Sequence, residues 1–403
     1  MDSLTPSWLD DNFLTQVLQS AEDSVQAVEV EVIKYRCQHA VPPGTNYLSQ
    51  MFRISVDYKT DKVKTTSLIV KTPLESGFGR EMLEMSSGYK KEIKIYNEIL
   101  PKMYALLSVK ISAKPYFCPL ENSLVLEDLK ESGYKMADRL QQLDFAHCQY
   151  FLESLARLHA LSVVIQESHP ELLKEFRHWL YNSEAPEEVQ KIMKEKTITM
   201  IKKWADAIKE VDGCERYVGM IHEVADNYFD KILEISRPGD GLVVLNHGDT
   251  WTNNIMFKYD DSGDVVDAKL VDFQVCNLGS FALDIILFWW TSANEEVRIH
   301  HRAELFEVYR QTLNRNLSEL NCRKFLSKEE FDLEMKSKAP YAISVVHGLL
   351  GVAMADPHKL EHFSSIESED LFMYSFTKNF RSKYYVRVLP AIFQEIEELG
   401  AFQ

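Results

Sequence analysis

The sequence lacks the signals of several protein classes. None of its six cysteines forms a C-x-x-C pair, so neither a disulfide framework nor a zinc site is indicated. No apolar run reaches the ~20 residues that a membrane helix needs, and the first residues have neither the basic region nor the apolar core of a signal peptide. The formal net charge of −16 disfavours general nucleic-acid binding, which needs a basic surface. We therefore expect a cytoplasmic protein with free thiols, no membrane or nucleic-acid partner and, by default, a monomeric state.

The patterning of the chain indicates two lobes that share a cleft. A length of 403 residues corresponds to roughly two or three domains. Residues 1–129 contain several alternating apolar and polar stretches and one prominent helical stretch, whereas residues 130–403 are mostly helical in period. A short β-rich stretch at 242–274 interrupts the helical part. The sequence predicts an α+β fold with a small β-rich N-lobe over 1–129 and a larger, mainly helical C-lobe over 130–403 that carries a β-hairpin.

Two helix boundaries are predicted from capping and breaking residues. Thr5 followed by Pro6 favours the start of a helix at this point of the chain. A second helix is expected to run from Tyr89 to Leu100 and to stop at Pro101.

The most informative stretch is His247-Gly248-Asp249, followed by Asn254 and, after the predicted hairpin, by Asp272-Phe273. Two carboxylates and an amide at strand ends suit phosphoryl transfer. Asp249 could accept the proton of a substrate hydroxyl, and Asn254 and Asp272 offer hard oxygen ligands for Mg²⁺. A His near an Asp is by itself more often a structural hydrogen-bonding pair. The Asn at this offset and the Asp-Phe after a hairpin favour a functional site.

Two upstream charges fit the same chemistry. Lys71 lies at the end of a predicted strand and Glu92 in the middle of the predicted helix. A Lys71–Glu92 pair would hold the ammonium at the phosphates of a nucleotide. The alternatives are a solvent-exposed Lys71 at a strand end and a solvated Glu92 that pairs with Lys91 or Lys94.

The order of these motifs resembles the protein-kinase-like fold of small-molecule kinases, the group of the choline kinases and aminoglycoside phosphotransferases. The fuller strings resemble the ecdysteroid kinase-like family of insects, from about residue 25 to 390. These strings are Gly44-Thr45-Asn46-Tyr47, Ile69-Val70-Lys71-Thr72-Pro73, Leu124-Val125-Leu126-Glu127-Asp128-Leu129, Asn246 to Asn254, and Val271-Asp272-Phe273-Gln274.

This resemblance implies ATP and Mg²⁺ as cofactors and assigns roles to matching positions. Asp249 would be the catalytic base, with Asn254 and Asp272 as Mg²⁺ ligands. Lys71 would hold the ATP phosphates, and Glu92 would orient Lys71.

The resemblance also implies a nucleotide-binding hinge and a phosphate-covering loop. The backbone of Glu127 and Leu129 would meet the adenine edge. The turn 44–47 would take the place of a glycine-rich loop, and Asn46 would donate a hydrogen bond to phosphate.

The departures from the protein-kinase pattern disfavour a peptide acceptor. The G-x-G-x-x-G loop is absent, Asp249 is followed by Thr250-Trp251 instead of Leu-Lys, and no Ala-Pro-Glu ends an activation segment. The family implies a small-molecule hydroxyl acceptor, either an ecdysteroid-like steroid or a xenobiotic. A choline-like amino alcohol, a pseudokinase without transfer activity, and an acyl- or nucleotidyl-transferring relative remain open.

Other polar and aromatic residues are expected to be structural. Asp284 lies among apolar residues and needs a partner, and the family pattern gives such an Asp a scaffolding role under the catalytic loop. His159 and His347 are interpreted as hydrogen-bonded core histidines. Large aromatics near the catalytic segments are weak candidates for an apolar acceptor pocket and are more often core; these are Trp251, Phe288, Trp289 and Trp290.

Overall fold

The computed structural model describes residues 5–21, 29–41, 49–74, 76, 80–81, 84, 87–177, 184–239, 241–358 and 377–403. No helix within these ranges combines the length and the apolar character needed to cross a membrane.

The first part of the chain forms a five-stranded antiparallel sheet in the order β1-β2-β3-β5-β4. Its strands are β1 (Glu31–His39), β2 (Ser49–Lys59), β3 (Val63–Pro73), β4 (Pro115–Tyr116) and β5 (Leu124–Glu127). Alternate residues of β2 face the interior because side chains along a strand point to opposite faces. Helix α1 (Asp11–Ala21) covers this face, and the two surfaces share one apolar cluster.

Helix α1 begins later than the sequence predicted. Its cap is Asp10, whose side chain accepts a hydrogen bond from the backbone N–H of Phe13 at 2.7 Å. The predicted start at Thr5 and Pro6 is therefore wrong, because a carboxylate five residues later satisfies the free N–H groups of the first turn.

The helix that carries Glu92 does not stop at Pro101. Helix α2 (Gly88–Lys94) passes into a π-helical turn at Ile95–Ile99, and helix α3 (Leu100–Leu106) follows without a break. Pro101 lies in the first turn of α3, where its missing N–H and fixed φ angle are tolerated. The expected stop is thus incorrect, because the wider turn changes the hydrogen-bonding pattern ahead of the proline.

The second part of the chain is mainly helical. Its helices are α4 (Phe145–Ser168), α5 (Glu187–Ala207), α6 (Glu215–Ser236), α7 (Ala282–Ser292), α8 (Glu295–His300), α9 (Arg302–Glu319), α10 (Lys328–Ser337), α11 (Tyr341–His347), α12 (Leu349–Ala353) and α13 (Lys383–Leu399). Short 3₁₀ turns lie at Pro170–Phe176, Thr252–Asn254 and Asn379–Arg381.

Two small sheets lie within this helical part. Strand β7 (Val243–Asn246) pairs with β10 (Asn277–Ser280), and β8 (Ile255–Tyr259) lies between β6 (Tyr134–Met136) and β9 (Val265–Leu270). The β8–β9 hairpin explains how Asn254 and Asp272 come to the same, open end of one paired ladder. The predicted α+β class, with a β-rich first part and a helical second part, is confirmed.

Candidate active site

The buried side chain of Asp284 fixes the loop between β7 and β8 through hydrogen bonds to its backbone. Its carboxylate accepts hydrogen bonds from the backbone N–H groups of His247 at 2.6 Å and Gly248 at 2.8 Å. His159 contacts the same carboxylate at 3.1 Å from its Nε2. These bonds satisfy a buried charge that is otherwise costly in apolar surroundings. The geometry agrees with the structural interpretation of Asp284 and His159.

Gly248 is required by the geometry of this loop. Its φ angle is +81°, in the left-handed region that favours glycine. A Cβ atom at this position would overlap the carbonyl oxygen of Val275. No side chain can therefore occupy this place without a shift of the backbone that follows Asp272.

Asp249 lies next to the amide of Asn254. The Nδ2 atom of Asn254 donates to the Oδ2 atom of Asp249 at 2.6 Å and to its backbone carbonyl at 2.9 Å. Burial, reinforced by the carboxylate of Asp272, raises the pKa of Asp249 to about 7. A carboxylate with such a pKa can hold or release a proton near neutral pH.

Lys71 bridges Glu92 and Asp272. Its ammonium lies 2.9 Å from Glu92 Oε1 and 3.0 Å from Asp272 Oδ1, although Asp272 is distant in sequence. The side chains of Lys71 and Glu92 are only 5% and 2% exposed, which contradicts the solvent-exposed alternatives for both. Burial lowers the pKa of Lys71, but the carboxylates of Asp272 and Glu92 outweigh this effect and raise it, so that the ammonium stays charged.

Phe273 connects helix α2 to the catalytic loop. Its backbone N–H donates to Glu92 Oε1 at 3.3 Å. Its ring packs edge-on against Tyr96 at 5.5 Å between centroids and tilted against His247 at 4.8 Å. The position of Asp272 is thus fixed by its neighbour as well as by Lys71.

A hydrogen-bonded chain that the sequence did not reveal supports the same segment. Ser112 Oγ lies 2.7 Å from the carbonyl of Leu270 and 3.0 Å from the hydroxyl of Tyr96. A carbonyl only accepts, so the serine proton goes to Leu270 and the hydroxyl of Tyr96 donates to Ser112. Tyr96 lies one helical turn after Glu92, which is a signal in the sequence, but no pattern pointed to Ser112.

The donor set at Asn254 and Asp272 fits a divalent cation. The Nδ2 atom of Asn254 is bonded to Asp249, so the Oδ1 atom of Asn254 is directed away from Asp249. No described residue donates a hydrogen bond to this oxygen. The side chain of Asp272 is 29% exposed, and its φ of +69° lies in a region that is sparsely populated outside functional sites and turns. Within the described ranges no group of three or more His, Cys, Asp or Glu forms a metal cluster. Mg²⁺ needs none, since one or two protein oxygens suffice beside phosphates and water.

The predicted hinge presents a backbone donor at Leu129. Its carbonyl accepts from Ser132 at 3.1 Å and Tyr134 at 3.0 Å, but its own N–H has no acceptor among the residues that the structure describes. The N–H of Glu127 is already bound to the carbonyl of Lys114 at 2.8 Å. The intervening Asp128 anchors the segment through Arg53 at 2.6 Å. Residues 44–47, including Asn46, lie outside the described residues.

The aromatic residues near the catalytic segments belong to the core. Trp251, Phe288, Trp289 and Trp290 are all buried. The alternative that they are ordinary core residues therefore agrees with the structure better than an open acceptor pocket.

A comparison with protein families decides the identity of this arrangement. The model of the Ecdysteroid kinase-like family matches residues 43–322. The chain belongs to this family. Ecdysteroid kinase-like membership confirms the predicted enzyme class, a phosphotransferase that acts on a hydroxyl of a small molecule. None of the curated proteins that were compared with the chain is a significant match.

Several solved structures are similar to this ecdysteroid kinase-like protein at low identity. Amicoumacin kinase hAmiN in complex with AMP-PNP, Ca²⁺ and Ami is 15% identical, with 85% of this chain and 87% of that chain covered and a TM-score of 0.42. The streptomycin–ATP–APH(2")-IIa ternary complex is 10% identical, with 88% and 93% covered and a TM-score of 0.39. A choline/ethanolamine kinase family protein from Mesorhizobium loti is 11% identical, with 90% and 92% covered and a TM-score of 0.38.

Proposed function

We propose that this protein transfers the γ-phosphoryl group of ATP, together with Mg²⁺, to a hydroxyl of a lipophilic small molecule of the ecdysteroid-like or xenobiotic class. The observation that carries the proposal is the contact of Lys71 with both Glu92 and Asp272. This contact sets a fixed ammonium beside Asp272, whose side chain is partly exposed, whereas that of Glu92 is buried.

Each charged or polar side chain of the site has its own role in the proposed phosphoryl transfer. Lys71 donates to the phosphate oxygens, and Glu92 keeps its ammonium in place. Asp249, oriented by Asn254, accepts the proton of the acceptor hydroxyl and holds that oxygen in line with the phosphorus. Mg²⁺ bound through Asn254 Oδ1 and the carboxylate of Asp272 would neutralise the charge of the triphosphate.

The base of the nucleotide would lie against the hinge. The N–H of Leu129, which has no acceptor among the described residues, supports this placement, because a backbone donor at this point suits an acceptor atom on the edge of the base. In this proposal the nucleotide-binding lobe spans residues 1–129 and the acceptor-binding lobe spans residues 130–403. All six cysteines are unpaired, which supports a reducing compartment such as the cytoplasm.

An acceptor panel tests the proposal. The purified protein is incubated with Mg²⁺, γ-labelled ATP and, in parallel, an ecdysteroid-like steroid, simple lipophilic alcohols, and choline or ethanolamine. Phosphate is expected on the steroid or a lipophilic alcohol. Transfer only to choline or ethanolamine would replace the acceptor class, and nucleotide binding without any transfer, also with tissue extract as the acceptor source, would support a pseudokinase.

A further inference from the structure

Lys269 is a buried cation without an ionic partner in the part of the chain that the structure describes. Its side chain is about nine-tenths buried, at 9% exposure. Across the described ranges, no carboxylate lies within salt-bridge distance of its Nζ and no hydrogen bond to it is formed. Its one close neighbour of complementary character is the ring of Tyr134, with its centroid 4.8 Å away. The aliphatic stem is covered by protein while the ammonium keeps an open side, so a ligand with a hydrogen-bond acceptor can complete its contacts there.

The pleat of the sheet places Lys269 on the face of the catalytic asparagine. Lys269 pairs with Met256, and the N–H of Val271 donates to the carbonyl of Asn254. Paired residues share a face, and residues two apart along a strand share it too. The opposite face packs on α4, where Ser154 Oγ donates to the carbonyl of Ala268 at 2.8 Å.

The position along the strand separates Lys269 from the phosphates. Lys269 precedes Asp272 by three residues, and at a strand rise of ~3.3 Å per residue the two lie about 10 Å apart along the chain. Its neighbour Tyr134 is bonded through its N–H to the carbonyl of Leu129 at 3.0 Å, so the ammonium lies on the hinge side. A nucleotide with its phosphates at Asp272 would have its base in this region. Nζ of Lys269 is not among the fully buried polar atoms that lack a partner, so it reaches an open surface.

We propose that Lys269 contacts the base of the bound nucleotide and favours a base with an acceptor at C6, so that the enzyme also binds guanosine triphosphate. An ammonium only donates hydrogen bonds. Guanine presents the O6 acceptor where adenine presents the N6 amino donor. Lys269 is thus a specificity-determining residue. This inference rests on the proposed nucleotide site.

The experiment measures binding, so that it does not depend on the unknown acceptor. Dissociation constants for AMP-PNP and GMP-PNP with Mg²⁺ are measured by calorimetry for the wild type, Lys269→Met and the control Lys258→Met. Lys258 is exposed on the same face and lies 5.7 Å from the same tyrosine ring. We expect GMP-PNP to bind the wild type within about tenfold of AMP-PNP. Lys269→Met should weaken GMP-PNP about tenfold and AMP-PNP less than threefold, and the control should change neither.

The outcomes separate this inference from the proposed function. Equal losses for both nucleotides in Lys269→Met, no loss for either, or a wild type that binds AMP-PNP alone would each overturn the specificity role while the kinase proposal stands. A wild type that binds neither nucleotide would overturn both. Circular dichroism of Lys269→Met confirms that it is folded; an unfolded variant is replaced by Lys269→Leu, which also lacks a donor and is judged by the same ratios.

Discussion

Lys71 and Asp272 form an ion pair of 3.0 Å across 201 positions of sequence. The same ammonium contacts Glu92 at 2.8 Å, so one cation from the N-terminal sheet joins helix α2 to the segment that follows β9. This junction concentrates the chemistry of the molecule at one point, and its removal should affect both activity and stability.

Lys71→Met should abolish this junction. The two carboxylates lose their common cation, and leaving Glu92 buried without it should cost about 3 kcal/mol of unfolding free energy. The kcat/KM for ATP should fall at least ~10²-fold, because the phosphate oxygens lose their donor. Chemical denaturation and steady-state kinetics measure the two effects. Lys62→Met, on the exposed turn ahead of β3, is the control and should match the wild type; an active Lys71→Met would contradict the assigned role.

Asp249→Asn should reduce turnover and spare nucleotide binding. The amide has the shape of the carboxylate but cannot take the proton of the acceptor hydroxyl, so kcat should fall by ~10² or more. ATP affinity, measured by calorimetry, should stay within a few-fold of the wild type. The matched control is Asp144→Asn, at the exposed cap of α4. Undiminished phosphorylation by Asp249→Asn would show that another group is the base.

Gly248→Ala should destabilise the protein because of the loop geometry. The new Cβ would overlap the carbonyl of Val275 at a positive φ angle, which predicts a loss of about 2 kcal/mol or more. Gly219→Ala is the matched control. It lies within helix α6 with open space around it, and should leave stability unchanged or raise it by ~0.5–1 kcal/mol. Equal denaturation midpoints for the two variants would contradict the steric requirement at Gly248.

His347 should make the stability of the protein fall in acid. Burial between Trp204 and Phe380 lowers its pKa from 6.5 to about 4. Between these values the unfolded chain takes up a proton that the folded protein excludes, so the free energy of unfolding decreases as the pH falls from 6.5 to 4. The difference is worth ~3 kcal/mol at most.

Denaturation at pH 7, 5.5 and 4.5 tests this effect by comparison with His347→Gln. The variant should be less stable at pH 7 but should have a shallower loss between pH 6.5 and 4.5, because it lacks the titrating ring. Parallel pH profiles for the two proteins would show that His347 does not control this range.

Tyr96→Phe should disturb the position of Asp272 without a large loss of stability. It removes only the hydroxyl that donates to Ser112, a net contribution of about 1 kcal/mol. We expect kcat to fall about three- to tenfold and the Mg²⁺ concentration for half-maximal activity to rise. In a Ser112→Ala background the same change should have no further effect, since the two residues act in one chain. Additive effects of the two substitutions, or a lower melting temperature with unchanged Mg²⁺ dependence, would indicate a purely structural role.

Local signals in the sequence located the groups that the proposal uses. Asp249, Asn254 and Asp272 lie next to short apolar stretches that the sequence predicts as strands, and the predicted fold class and family are confirmed. The roles of these residues stay predictions. The helix limits at Thr5 and Pro101 were wrong because capping by Asp10 and a π-helical turn depend on the local backbone geometry, which composition does not specify.

The order of residues alone determined which chemical groups this chain can bring to a cleft and in which kind of element each lies, because periodicity and motif spacing are local properties. Only the tertiary structure decided which groups meet. The contact of Lys71 with Asp272, the support of Leu270 by Ser112, and the isolation of Lys269 beside Tyr134 arise from the packing of distant segments. Such contacts depend on how strands and helices exclude water from shared surfaces, and no short pattern encodes them.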